Sequence, residues 1–252
     1  MKILLTNDDG INAEGLIILE RVLSKYHETY IIAPDRERSA CSNIFTIRDE
    51  LILTKISKNR FSINGYPADC VSIAMHSDFI PEIDLVISGI NHGPNLGDDV
   101  HFSGTVAGAR TAFIFGKPGI AFSIDSFHKA SPNMPEASEF LAEYIKNTPV
   151  SPDTFLNINY PDIPYSETSG IKYTFLSKRY YRDLYIKREI APNQTAVSLN
   201  GEIETEFSEG SDDDAMKRGY ISITPLTIDS TDYKKIDELS EKQGYIYSLR
   251  GT

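Results

Sequence analysis

Residues 1–12, "MKILLTNDDGIN", are the stretch that indicates the fold class of this chain. The apolar run at residues 3–5 has no polar alternation, which predicts a β-strand buried on both faces, as strands are in a parallel sheet. A polar loop ends that strand, and a helical pattern begins near Ala13. A strand that passes through a short loop into a helix is the first unit of an α/β fold. In this unit two adjacent carboxylates, Asp8 and Asp9, lie at the carboxyl end of the strand.

The alternation of strand and helix continues through the first two-thirds of the chain. Further apolar runs predict buried strands at residues 30–32, 85–87, 120–122 and 155–156. Helical spacing lies between them, most clearly at residues 137–145, and a β-hairpin is predicted at residues 50–66. Because such alternation requires right-handed crossovers, we predict an α/β fold with a Rossmann-like, doubly wound, mostly parallel sheet.

The last third of the chain differs in texture. From about Tyr165 the sequence is strand-like and rich in tyrosine, with a short helix expected only from Tyr233. We therefore expect a single domain over residues 1–252, with a core at about 1–164 and a β-rich C-terminal extension at about 165–252. This arm would pack on the core or reach another subunit. The acidic run at residues 212–214 is expected to be a solvated loop.

Composition excludes several classes of partner. The 252 residues carry a formal net charge of −11 without a basic run, so duplex nucleic acid is not an expected partner. No stretch approaches the roughly 18 apolar residues of a membrane span, so no membrane association is expected. The N-terminal apolar run is too short for a signal peptide, and Cys41 and Cys70 lack a CxxC spacing. We expect a cytoplasmic protein.

Three polar loops follow the first, second and third long strands of the predicted sheet. They read "TNDDGIN", "APDRERSACSN" and "SGINHGPNLGDDVHFSGT". In an open parallel sheet such loops meet at the carboxyl edge, so Asp8 and Asp9 can face one crevice. A hard divalent cation would relieve their repulsion, with neutral oxygens from Ser39 and Asn91. The alternative is that the two carboxylates cap the helix near Ala13 and complement its dipole.

The stretch "HFSGTVAGARTAF" at residues 101–113 predicts a helix with Ser103 as its N-cap. The amides of Gly104 and Thr105, together with the Ser103 and Thr105 hydroxyls, would form a cradle for an anion such as phosphate. Helix capping alone is the competing interpretation. The coincidence of carboxylates, a cradle and open loops at one edge favours a phosphate site.

Other phosphate chemistries lack their motifs. Neither G-x-x-x-x-G-K-[ST] nor G-x-G-x-x-G occurs, which argues against a nucleoside triphosphate or dinucleotide cofactor. Phosphatases with an aspartyl-phosphate intermediate use a D-x-D pair, but Asn7 stands at its first position and cannot act as the nucleophile. His76, His92 and His101 lack metal-ligand spacing. Direct attack by water is therefore the expected chemistry.

Four ordered motifs resemble those of the SurE family, the stationary-phase survival protein nucleotidases. They are "ILLTNDDGI", "APDRERSACSN", "VSGINHGPNLGDDVHFSGTVAGA" and "SDDDAMKRGYISITPL", spanning residues 1 to about 226. The resemblance implies a nucleotidase that releases phosphate from nucleoside 5′- and 3′-monophosphates and acts to some extent on polyphosphate. It also implies a Rossmann-like core, and homodimers or homotetramers joined through C-terminal segments.

Site residues follow from the same resemblance. The ligands of one Mg²⁺ or Mn²⁺ per subunit would be Asp8, Asp9, Ser39 and Asn91. The phosphate pocket would be lined by Asn43, Ser103, Gly104 and Thr105. The usual "RSGASN" loop reads "RSACSN" here, so Ala40 stands where the family has glycine, and it would be strained if that backbone needs a positive φ.

The expected mechanism is hydrolysis by metal-activated water, with Asp8 or Asp9 accepting the proton. Two alternatives use the same crevice: a non-catalytic nucleotide-binding sensor, and a sugar transferase whose carboxylates hold a nucleotide-sugar metal.

Overall fold

The computed structural model describes residues 1–126 and 131–249. Within them the strands are β1 (Lys2–Thr6), β2 (Glu28–Pro34), β3 (Leu53–Ser57), β4 (Arg60–Ile63), β5 (Leu85–His92), β6 (Gly119–Ile124), β7 (Phe155–Tyr160), β8 (Ile171–Tyr173), β9 (Lys178–Ala191), β10 (Gln194–Glu206) and β11 (Ile221–Leu226). The helices are α1 (Glu14–Leu23), α2 (Pro67–His76), α3 (Gly104–Ile114), α4 (Met134–Asn147), α5 (Asp212–Lys217) and α6 (Tyr233–Leu249). Short 3₁₀ helices lie at Gly97–His101, called the 3₁₀ segment below, and at Tyr165–Glu167.

One large sheet carries most of the strands, in the order β3-β4-β2-β1-β5-β6-β7-β11-β8. All neighbours from β4 to β7 are parallel, and among the described strands of this sheet the antiparallel pairs lie towards its two sides, at β3–β4 and β7–β11. The predicted α/β fold with a mostly parallel sheet is confirmed. The chain winds outward from β1 in both directions, so the sheet's topological switch point, where such folds bind ligands, lies between β1 and β5.

Two helical layers cover the sheet because its central strands are apolar on both faces. Ile3 and Leu5 pack with α1 and α4 on one face, whereas Leu4 packs with α2 on the other. All three side chains are fully buried. The continuous apolar run that predicted a buried parallel strand therefore serves both faces.

The C-terminal third divides between the sheet and an arm. β8 and β11 lie in the large sheet, whereas β9 and β10 pair antiparallel in a separate two-stranded ribbon, called the arm below. The division into a core and an extension near residue 165 stays a prediction. Of the strands after residue 165, those of the arm lie outside the large sheet. Within the described ranges, no helix is both long and apolar enough to cross a membrane.

The acidic run at residues 212–214 is not a solvated loop, contrary to expectation. It forms the first turn of α5, and all three aspartates are buried. Asp212 accepts backbone N–H bonds of 2.8 Å from both Gly97 and Ser177. Ionised carboxylates are stabilised by such donors, so this aspartate can be buried where it joins the 3₁₀ segment to the start of the arm.

Candidate active site

A cavity of about 880 Å³ opens at the switch point of the sheet. All four predicted metal ligands, Asp8, Asp9, Ser39 and Asn91, line it. They come from three segments that are distant in sequence, and the carboxyl ends of β1, β2 and β5 bring them together. This is the convergence that the strand pattern predicts.

Asp8 is the most strongly perturbed of these residues. Its side chain is 5% exposed, and its Oδ1 accepts a 2.5 Å hydrogen bond from the Thr105 hydroxyl. Burial, and secondly the adjacent charge of Asp9, raise the pKa of Asp8 to about 6, against a lowering effect of the Thr105 hydrogen bond. A buried carboxylate beside another carboxylate is a group that a cation would stabilise.

The capping alternative for these carboxylates finds no support. The N-cap of α1 is Ala13, and no side chain caps that helix end. Within the preceding loop it is Asn7 that ties the turn, donating from Nδ2 to the Gly10 carbonyl and accepting from the Gly10 amide.

The two predicted neutral ligands, Ser39 and Asn91, are each oriented by a neighbour. Ser39 donates its hydroxyl to Glu37 Oε1 at 2.9 Å, and Glu37 also lines the cavity. Asn91 donates its side-chain nitrogen to the Gly93 carbonyl at 2.8 Å, which leaves its amide oxygen as the group to face a cation. The donor set is thus two carboxylates, a hydroxyl and an amide, all hard oxygens of the kind Mg²⁺ and Mn²⁺ take. No cluster of three or more His, Cys, Asp or Glu suited to a metal occurs in the part of the chain described.

The loop between these ligands holds an unusual backbone. Ala40 has φ of 54°, in the left-handed region that favours glycine. The condition stated from the sequence, that Ala40 would be strained if its backbone needs a positive φ, is therefore met. Next to it, Cys41 is a buried free thiol whose Sγ would lie 2.5 Å from a Cβ on Gly104. A side chain at Gly104 would also meet Asp8, so this close approach requires glycine.

The predicted phosphate-pocket residues separate into different surroundings. Ser103 lines the cavity, and its hydroxyl caps α3 by accepting from the Val106 amide at 3.0 Å. Thr105 is fully buried against Asp8, and Gly104 lies beside the same carboxylate. Asn43 is exposed and is not among the residues that line this cavity. A role of these four residues in phosphate binding stays a prediction.

The sequence did not predict that the arm lines the cavity. Lining residues come from the 3₁₀ segment and its C-cap, Asp99 and Phe102, and from the arm, Tyr181, Asp183, Leu199, Asn200, Gly201 and Ile203. Asn95 also lines the cavity, held by polar side chains of β6 and β7: its Nδ2 donates to Ser123 and its amide to Asn159. Two asparagines at alternate positions of a buried strand, residues 157 and 159, were a signal that could have pointed to this support.

Comparison with known proteins decides the family. The family described as Survival protein SurE matches residues 3–183, more than half of the chain. The chain belongs to the SurE family. A protein named 5′-nucleotidase SurE from Heliobacterium modesticaldum is 40% identical over 251 residues, covering 97% of this chain and 92% of its own.

Further SurE proteins extend the likeness to sequence and structure together. A 5′-nucleotidase SurE from Leptospira interrogans is 41% identical over 245 residues, covering 96% of this chain and 97% of its own. The crystal structure of the SurE protein from Aquifex aeolicus superposes with a TM-score of 0.84 at 34% identity, covering 96% of this chain and 100% of that one. The resemblance stated from four motifs is confirmed over nearly the whole chain.

Proposed function

We propose that this SurE protein is a divalent-metal-dependent phosphatase that hydrolyses nucleoside 5′- and 3′-monophosphates, with polyphosphate as a further candidate substrate. The observation that carries the proposal is the pair Asp8 and Asp9, one of them buried, sharing a cavity with Ser39 and Asn91. The names of the two relatives, 5′-nucleotidase SurE, support the nucleotide as substrate.

The proposed cofactor is one Mg²⁺ or Mn²⁺ per subunit, held by Asp8, Asp9, Ser39 and Asn91. The oxygen donors fit such an ion, and a cation would stabilise the ionised form of Asp8, whose pKa is raised by burial and by the adjacent charge of Asp9. When bound, the ion would offset phosphate charge and lower the pKa of a water molecule.

The chain's own groups supply orientation and proton transfer. One of the two carboxylates accepts the proton of the attacking water. Thr105 fixes Asp8 through its 2.5 Å hydrogen bond, so the carboxylate cannot rotate away from the cavity. Ser103 is the N-cap of α3. The first backbone amides of this helix would donate to a phosphate, because the dipole at a helix N-terminus favours negative charge. No lysine or arginine lines the cavity among the residues described.

Replacing Thr105 with valine is expected to lower kcat/KM for AMP by roughly ten- to a hundredfold, because a hydrogen bond to a charged group contributes about 1.5–3 kcal/mol. Since the hydroxyl contacts Asp8, the metal activation constant should rise as well. Thr105→Ser keeps the hydroxyl and should recover most of the activity. Steady-state kinetics at several Mn²⁺ concentrations provide the measurement.

Ser103→Ala is the comparison that separates phosphate handling from metal binding. The Ser103 hydroxyl caps α3, so its loss should lower the free energy of unfolding by about 1 kcal/mol. If the Ser103 hydroxyl also binds the phosphate, KM should rise in Ser103→Ala while the metal activation constant stays unchanged.

For the Thr105 prediction, a Thr105→Val enzyme with wild-type kcat/KM and metal affinity would show that Thr105 has no role in the site.

A non-catalytic nucleotide sensor would use the same cavity and the same donors. Continuous release of inorganic phosphate from AMP, over many turnovers per subunit, distinguishes the phosphatase from the sensor and from a sugar transferase. Binding of AMP without phosphate release would establish the sensor instead.

We also propose that the protein is a homodimer or homotetramer joined through C-terminal segments. The arm carries apolar side chains that are more than half exposed, among them Leu184, Tyr185 and Ile186. On α6, Tyr233 and Leu239 are exposed to a similar degree. Monomeric proteins rarely expose contiguous apolar surface of this kind, so a second copy would cover it.

Light scattering coupled to size-exclusion chromatography is expected to show an oligomer at micromolar concentration. Ile186→Lys should shift the protein to smaller species, because it places a charge on the apolar surface of the arm. Ile56→Lys is the matched control, since Ile56 is exposed to a similar extent (51% against 54%) but lies on β3, at the far edge of the sheet. A monomeric wild-type protein would contradict this proposal.

A further inference from the structure

The cavity is lined by groups of two chemical kinds. Besides carboxylates and other polar side chains, it has four largely apolar side chains, Phe102, Tyr181, Leu199 and Ile203. These four residues, called the apolar wall below, are between 37% and 63% exposed. An exposed apolar surface inside an otherwise acidic crevice indicates a site for a ligand with a flat or apolar part.

The apolar wall is held in a defined arrangement. Tyr181 and Ile203 are directly opposite each other in the β9–β10 ladder, so they share one face of the arm. The rings of Phe102 and Tyr181 meet edge to face, with centroids 5.9 Å apart and planes at 89°. Edge-to-face contact is a preferred arrangement of aromatic rings, so each of the two rings helps to orient the other.

Acidic side chains of the 3₁₀ segment fix the arm beside the cavity. The Tyr181 hydroxyl donates to Asp99 Oδ1 at 2.7 Å, and the Arg179 guanidinium pairs with the same carboxylate. The backbone N–H of Arg179 donates to Asp98 at 2.9 Å. Asp212 adds a buried link, because it accepts from both the 3₁₀ segment and the start of the arm. These contacts lie within one subunit, so the base of the arm and the carboxylates of the cavity belong to the same subunit.

We infer that the apolar wall is the nucleobase subsite, which binds the base of the substrate by stacking and apolar contact. The inference rests on the proposed function, because it places the phosphate beside Asp8 and Asp9 in the same cavity. Stacking accepts every base, since each presents a π face. Purine and pyrimidine monophosphates should thus be hydrolysed with similar efficiency, whereas a phosphate ester without a base should be a poorer substrate.

The test compares AMP with ribose 5-phosphate, which has the same phosphate and sugar but no base. Phe102→Ala and Tyr181→Ala should each lower kcat/KM for AMP about tenfold, mainly by raising KM, because stacking on one aromatic side chain is worth a factor of this order. Both variants should lose at most about twofold on ribose 5-phosphate. Tyr181→Phe keeps the ring and should recover most of the efficiency with AMP.

Tyr180→Ala is the matched control, since Tyr180 is the neighbouring tyrosine on the opposite face of β9 and bonds to Glu206. It should leave the ratio of AMP to ribose 5-phosphate efficiency unchanged. Equal losses on both substrates in Phe102→Ala and Tyr181→Ala would overturn the inference, as would unchanged kinetics or an altered oligomeric state that accounts for the loss.

Failure of the proposed function has a different signature. If the wild-type protein hydrolysed neither compound, calorimetric binding of AMP and ribose 5-phosphate to the same variants would test the subsite without catalysis. Weaker binding of AMP alone would support the apolar wall as a base site, and unchanged AMP binding would overturn it.

Discussion

Asp8→Asn is expected to lower kcat for AMP hydrolysis by about a thousandfold or more and, at the same time, to stabilise the metal-free protein. The loss follows from removing a charged ligand and orienting group from a site whose catalysis is electrostatic. The gain follows from burial, because the wild-type carboxylate is almost fully enclosed and lies next to Asp9. Gain of stability with loss of activity is the pattern expected where a residue serves function at the expense of stability, so the combination would assign Asp8 a functional role.

The pH dependence of that gain is fixed by the direction of the pKa shift. The folded protein raises the pKa of Asp8 from 3.8 to about 6, so ionisation of Asp8 destabilises the fold. The penalty is absent below about pH 4, develops between pH 4 and 6, and is complete above pH 6, where two pKa units correspond to about 3 kcal/mol. Metal-free Asp8→Asn should therefore have a higher urea midpoint than the wild-type protein at pH 8, and an equal one at pH 4.

Asp153→Asn provides the matched control, since Asp153 is an exposed aspartate in the loop before β7. It makes the same change in charge and should alter neither kcat nor the difference between the two pH values. A destabilised Asp8→Asn protein that loses activity only in proportion to its unfolded fraction would assign Asp8 a structural role.

The convergence of the predicted metal ligands could be expected because it depends on topology. Asp8, Ser39 and Asn91 each come after an apolar run that forms a strand, and parallel strands place their carboxyl ends at one edge. The positive φ of Ala40 could be stated only as a condition, because the sequence does not show which backbone conformation the loop takes.

The apolar wall could not be predicted, because it depends on contacts far apart in sequence. Asp99 meets Tyr181 across 82 positions, and the arm is apolar and tyrosine-rich on both faces, so alternation does not reveal which side faces the cavity. Tyr180 and Tyr181 are identical in type and opposite in orientation. The acidic run at residues 212–214 misled for a similar reason, since its burial depends on backbone donors from Gly97 and Ser177.

Removal of divalent metal is expected to abolish hydrolysis because, among the residues described, no charged side chain of the cavity could take the place of the cation at the phosphate. The residues that line the cavity include Asp8, Asp9 and Glu37, and the described lining has neither lysine nor arginine. Without a cation, a phosphate dianion would approach a negative crevice, and the attacking water would keep its ordinary pKa. Mg²⁺ or Mn²⁺ should restore activity, and Ca²⁺, whose larger shell fits this small donor set poorly, should restore less.

The most direct measurement is the initial rate of phosphate release from AMP by chelator-treated, metal-free wild-type protein, before and after titration with Mn²⁺. We expect a rate at least a thousandfold below the restored one, with saturation at one ion per subunit and no restoration in Asp8→Asn. Full-rate phosphate release by the metal-free protein, or full restoration of Asp8→Asn by Mn²⁺, would contradict a metal-dependent reaction at this pair of carboxylates.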